Sequence, residues 1–163
     1  MIAQFAIRLI CGMSLAWCLT PRRQITDGFF RIQMLITLGL SVLACLAHLG
    51  GWNNSIPQMA GEPGSAWGIH THTWLCGATA IVAYVGSFTW ALGRRRIGTV
   101  CIVLITALAL VLLVQSARTA SSTSLPMSLM VVASELSTAL LLGAAMVSML
   151  LGHWYLTATG MPL

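Results

Sequence analysis

Charge is the scarcest thing in this chain. Only 7% of its 163 residues are charged, where a soluble domain carries roughly 25%. A surface so poor in charge is not built to face water on all sides, so a wholly soluble fold is excluded. Lysine is missing altogether. All eight basic residues are arginines, so no side-chain amine exists to form a Schiff base with retinal or another carbonyl compound. The acids number three, Asp27, Glu62 and Glu135, and they fall in different loops or at different depths. No carboxylate pair for acid–base chemistry follows from them.

Other chemistries are excluded by spacing. Cys11, Cys18, Cys45, Cys76 and Cys101 form no C-x-x-C pair, so zinc-ribbon and thioredoxin arrangements are absent. Each lies in an apolar run and is expected to be a reduced packing residue. There is no phosphate-binding glycine loop, no Gly-x-Ser-x-Gly elbow and no His-Glu-x-x-His, which removes the common soluble-enzyme sites. The N-terminus lacks the basic region of a signal peptide, and Arg8 interrupts its apolar stretch. Leu15-Ala16-Trp17-Cys18 departs from a lipoprotein cleavage box, because Trp17 stands where a small residue is required. The net charge of +5 does not point to nucleic acid, because the arginines sit in short clusters between apolar runs.

What is present is hydrophobicity: 58% apolar residues and a mean hydropathy of +0.89. A membrane-spanning helix needs about 20 mostly apolar residues. Five segments qualify: 2–19, 29–49, 73–92, 97–116 and 127–151. The expected fold is therefore all-α, a single polytopic membrane bundle occupying residues 1–163. Pro21, Gly50-Gly51, Gly93 with three arginines, and the polar turn from Ser121 to Pro126 separate the spans. Residues 51–72 read as a long loop. The chain closes on Met161-Pro162-Leu163, an ending that fits the N-terminal part of a longer protein as well as a complete chain.

Orientation follows from arginine placement, because cytoplasmic loops carry the excess of basic residues. Arg22, Arg23, Arg31, Arg94, Arg95 and Arg96 flank the first and third loops, and only Arg118 lies on the other side. That pattern predicts an N-terminus outside, a C-terminus in the cytoplasm, and residence in a cytoplasmic (inner) membrane of bacterial type. Aromatic residues are expected to form belts. Trp17, Phe29, Phe30, Trp90, Trp154 and Tyr155 fall at the inner level, and Trp52, Trp67 and Trp74 at the outer one.

Helical spacing then groups the polar residues. Gln33, Thr37, Ser41, Cys45 and His48 share one face of the second span, and His72, Cys76, Thr79, Ala83 and Ser87 share one face of the third. Ala144, Ser148 and Gly152 form a small-residue ridge on the fifth. These faces are expected to turn toward one another, leaving the almost uniformly apolar fourth span against lipid.

Two groups could carry chemistry. Glu135 lies inside the fifth span, where a carboxylate costs at least ~2.5 kcal/mol and needs a partner, a proton or water. Arg8, inside the first span, sits at a similar depth of roughly 10–13 Å at 1.5 Å per residue. An intramembrane Arg8–Glu135 ion pair is expected, either as a proton or ion relay or as a clamp between helices. The second group is His48, His70 and His72, near the outer surface, with Met59 and Met127 on the same side. Grouped imidazoles can bind copper or zinc or ligate haem; polar residues at a helix boundary look the same. His153 stands alone at the inner end of the fifth span, about 27 Å from Glu135 along the same face, with Leu142, Met146 and Met149 between them. That face is too dry for a proton wire.

The expected role is a non-catalytic subunit or domain of a larger membrane assembly, in contact with lipid and other membrane subunits, with a redox link through haem or a metal at the outer face. The alternative is an ion- or proton-coupled transporter built on Arg8 and Glu135. A membrane enzyme using His70 or His72 with Glu62 is the weakest of the three.

Overall fold

The computed structural model describes residues 1–20, 27–50, 63–120 and 125–157. Arg22, Arg23, Trp52, Met59 and Glu62 lie outside the described residues, as do the side chains of Trp67, His70 and Tyr155. The described chain is all-helical: α1 (Ile2–Leu19), α2 (Asp27–Leu49), α3 (Pro63–Ala91), α4 (Arg95–Ala120) and α5 (Leu125–Thr157). Each contains a segment long and apolar enough to cross a membrane.

Local chemistry sets several ends. Pro63 opens α3, where its missing N–H costs nothing and its fixed φ suits the first turn. Residues 63–72, expected as part of a loop, are helical, and α3 starts ten residues before the expected span. A hydropathy window misses this turn because Gly64, Ser65, Gly68, His70 and Thr71 dilute it. Gly93 ends the helix with φ +67°. Its N–H bonds the Trp90 carbonyl at 3.2 Å and the Arg94 N–H bonds the Thr89 carbonyl at 3.0 Å, the Schellman arrangement that glycine favours.

Packing organises the helices as a four-membered ring, α1–α2–α3–α4 and back to α1, with α5 outside it against α1 and, more lightly, α4. α1 and α4 each pack against three neighbours and are the most enclosed, with 56% and 44% of their apolar spans buried against 17% for α5. This corrects the expected lipid-facing role of the fourth span. Ile102, Ile105, Ala109, Leu112 and Leu113 of α4 are buried in the core, and α5 is the exposed helix. Lipid tails are as apolar as leucine, so the lack of a polar face cannot tell a helix that faces lipid from one that faces its neighbours.

The aromatic belt also needs correction. Trp17, Phe29, Phe30 and Trp90 are buried inside the bundle, and Phe30 stacks on Trp90 with centroids 4.6 Å apart. Trp74, by contrast, is exposed, as an interfacial ring would be.

α2 and α3 run antiparallel in a regular register. Phe30 meets Trp90, Met34 meets Gly86, Cys45 meets Thr73 and His48 meets His72. In each pair the residue numbers sum to about 120. The two polar stripes are thereby set face to face. Gln33, Thr37 and Ser41 of α2 are buried, as are His72, Cys76, Thr79, Ala83 and Ser87 of α3. Thr37 and Thr79 donate to carbonyls of their own helices, at 3.0 and 2.8 Å, so their hydroxyls need no cross-helix partner.

α1 and α5 run parallel and touch backbone to backbone. A Cβ on Gly12 would overlap the carbonyl of Ala139, and one on Gly143 would overlap the backbone of Gly12. The expected Ala144–Ser148–Gly152 ridge is exposed instead; the close contact uses Ala139-x-x-x-Gly143 on the neighbouring face. Gly12→Val should therefore force the two helices apart and lower stability by about 2 kcal/mol or more, as overpacking does. Gly39→Ala, with open space around it, should be neutral or stabilise by up to ~1 kcal/mol through helix propensity. Unfolding in detergent, followed by circular dichroism, reads both; equal effects would refute the close-contact account.

Candidate functional site

Glu135 is held by a stripe of α1. The Nε–H of Arg8 donates to Oε2 at 2.5 Å and an Nη2–H to Oε1 at 2.5 Å. The amide of Gln4 donates to Oε1 at 3.3 Å. Gln4, Arg8 and Gly12 recur every four residues on α1, and Glu135, Ala139 and Gly143 recur every four on α5. The same faces that bring the backbones together thus bring the charges together, one turn further along. Because Gly12 and Gly143 remove side chains from between the helices, the guanidinium need not stretch to reach the carboxylate.

The arrangement is a fork: two parallel N–H donors on two carboxylate oxygens, the strongest geometry open to such a pair. The Glu135 side chain keeps 12% of its accessible surface and Arg8 29%, so the pair lies along the edge of the α1–α5 contact and not in the four-helix core. Three donors on two oxygens leave Glu135 well satisfied.

The histidines divide. His48 and His72 are brought together across α2 and α3, rings nearly parallel at an interplanar angle of 22°. Positions 70 and 72 both lie on α3, where two residues turn about 200°. Position 70 therefore does not share the face of His72. Cys45 and Cys76, one turn deeper in the same register, take its place beside the pair. Among the described residues, no three His, Cys, Asp or Glu side chains already form a metal cage. His153 lies exposed near the end of α5, far along the helix from Glu135.

At the other end of the bundle, Asp27 pairs with Arg95 at 3.0 Å. Both are substantially exposed, so this pair contributes at most about 1 kcal/mol. Arg94, Arg95 and Arg96 line a shallow cavity of about 390 Å³ with Gly93 and Ile97.

Sequence reasoning missed Gln4, Gly12, Ala139 and Gly143. The signal was available, since all four lie at steps of four from Arg8 or Glu135. It was hidden because a search for small residues alone selects the Ala144 ridge equally well. Cys45 and Cys76 were assigned to the correct stripes, but their proximity to His48 and His72 depends on the register between helices, which one helix cannot reveal.

Removing one partner should cost more than removing both. Glu135→Leu strands the Arg8 charge and should destabilise by about 2–3 kcal/mol, less than the 3–5 kcal/mol of a fully buried pair, because Arg8 keeps some exposure. The double variant Arg8→Leu/Glu135→Leu should recover most of that loss. Unfolding of the two single variants and the double variant in the same detergent tests this; a double variant as unstable as the sum of the singles would show that the pair is not coupled.

Comparison with known proteins identifies no matching family, and neither curated proteins nor solved structures include a match to this chain.

Proposed function

We propose that this chain is a five-span protein of the cytoplasmic (inner) membrane, with its N-terminus outside and its C-terminus inside, and that it serves as a non-catalytic subunit or domain of a larger membrane assembly. The observation that carries the assembly role is the free face of α5. This helix has 33 residues, yet it is covered only along one side. Ser134, Ser137, Leu141, Ala144, Ala145, Ser148 and Gly152 are exposed and line one flank. Small and hydroxyl residues let another helix approach closely in lipid, where van der Waals packing and not hydrophobicity drives association.

The orientation is supported by charge. Arg31, Arg94, Arg95 and Arg96 are exposed and gather where α2 and α4 begin; Arg118 lies at the opposite end, in the last turn of α4. Trp154 packs beside Gly28 at the arginine-rich end, as an anchoring ring at the cytoplasmic boundary would.

The transporter reading loses ground on geometry. A relay or counter-ion site needs a carboxylate with capacity to spare and a path to it. Glu135 already takes three donors, and the helices beside it close to backbone contact. As a clamp, the pair lets α5 carry a carboxylate through the bilayer while keeping its outer face uncharged.

Two measurements test the proposal. Arg94→Cys should react with an impermeant thiol reagent only from the cytoplasmic side and Arg118→Cys only from outside; the reverse pattern would overturn the topology. Ser148→Leu should release co-purifying membrane partners without loss of the folded bundle, whereas Leu104→Phe, on an exposed position of α4, should not. Partners retained in the Ser148 variant would remove α5 as the assembly face.

A further inference from the structure

The α2–α3 stripe ends, toward the Arg118 side, in two layers of metal-ligating side chains. The first is His48 with His72, ring centroids 5.4 Å apart. His72 keeps only 9% of its accessible surface. Nε2 of His48 and Nδ1 of His72 are buried and have no hydrogen-bond partner among the described residues. A buried polar atom left unpaired is destabilising, and two such atoms on adjacent rings call for a specific partner. The second layer is Cys45 with Cys76. Cys45 Sγ lies 4.0 Å from the Thr73 carbonyl, and Cys76 is buried.

We propose that His48 and His72 together bind a single Cu(I) ion as its two ligands, with Cys45 and Cys76 as neighbours one turn deeper. Four arguments select this ion. The two orphan atoms are imidazole nitrogens, a donor type that suits copper, and the neighbouring side chains of Cys45 and Cys76 are soft and not hard oxygen donors. Among the described acids, Asp27 is paired with Arg95 and Glu135 with Arg8, so the site offers neutral ligands. A monovalent ion on neutral ligands costs less to bury than a divalent one. Structural zinc asks for four ligands in a tetrahedron, whereas Cu(I) is satisfied by two imidazoles in a near-linear bridge. Among the described residues no cage of three or more exists, which suits the second ion and not the first.

The geometry permits the bridge. Metal–imidazole bonds of about 2 Å span nitrogens up to about 4 Å apart, within reach of rings at this separation. The rings are stacked, so binding requires rotation about χ2, which is soft in histidine, to bring the two orphan nitrogens face to face. The spacing helps as well. Cys45-x-x-His48 and His72-x-x-x-Cys76 are i,i+3 and i,i+4 pairs, so each sulfur shares the helical face of its histidine. The inference is independent of the subunit role proposed above.

The test is titration of Cu(I), under reducing conditions, into the full detergent-purified chain against a chromogenic Cu(I) chelator. A single equivalent should bind. His48→Phe and His72→Phe, which keep a ring in each place, should each weaken binding at least about tenfold, the low end of what loss of even an outer-shell partner costs a metal site. His153→Phe should leave binding unchanged, and Zn(II) should not displace the ion. If the imidazoles only pack, no stoichiometric Cu(I) binds and both Phe variants are at least as stable as the parent; that outcome overturns the proposal. So does binding retained in the two Phe variants, or equal competition by Zn(II). Should a Phe variant fail to fold, protection settles the matter in the parent chain: bound Cu(I) must shield His48 and His72, and not His153, from diethyl pyrocarbonate, and unshielded rings would overturn the assignment.

Discussion

The contact between α1 and α5 is the constraint on which the rest of the molecule depends. Glu135 lies within a helix long and apolar enough to cross a membrane, and in such a setting its charge is tolerable only if a cation meets it. Arg8 can do so only if the two helices lie close, and they lie close because Gly12 and Gly143 put backbone against backbone. Close approach and charge pairing are one device written twice at the same spacing, Gln4–Arg8–Gly12 against Glu135–Ala139–Gly143. Neither half works well alone. Without the glycines the fork lengthens, and without the fork the glycine contact would bring an unpaired carboxylate against α1.

A second device governs the other side of the bundle. α2 and α3 present polar stripes to each other along their length, yet they make few hydrogen bonds across the seam. Thr37 and Thr79 bond their own backbones, while the amide of Gln33 and the hydroxyl of Ser41 are buried without a partner among the described residues. The stripe therefore acts mainly through size. Small and medium side chains let the helices nest, and the larger pairs, Phe30 with Trp90 and His48 with His72, stack at either end of the seam. Register is set by those end pairs, which is why the deeper positions pair so regularly between them.

These two devices explain what could be read from the sequence and what could not. Element type and number were legible, since five apolar runs of about 20 residues, bounded by glycine, proline and arginine, have the length and composition of membrane-spanning helices. The inward turn of the α2 and α3 stripes was legible because period alone defines a helix face. The start of α3 was not, because its first turns are rich in glycine and hydroxyl residues and read as loop. The place of α4 was not, because core and lipid are equally apolar. The partner of the fifth span was not, because two small-residue ridges, at Ala139–Gly143 and at Ala144–Gly152, compete on one helix. Only the demand of Glu135 for a cation decides between them. The Arg8–Glu135 contact could be anticipated from depth, but the role of Gln4 and Gly12 beside it could not, since depth says nothing of rotation about the helix axis.

The division of labour follows from this layout. α1 is the central helix: it completes the four-helix ring and at the same time covers the charged edge of α5. Having surrendered its carboxylate to α1, α5 keeps an outer face free of charge and rich in small residues, which is what a partner helix in lipid requires. The histidine pair lies on the α2–α3 seam, in a helix pair that shares no charged partner with α5. The main contacts of α5 are with α1 and α4, so a change at its face reaches that seam through those two helices. The proposed assembly face on one side and the buried imidazole pair on the other are thus separated by α1 and α4, and any coupling between them runs through these two helices.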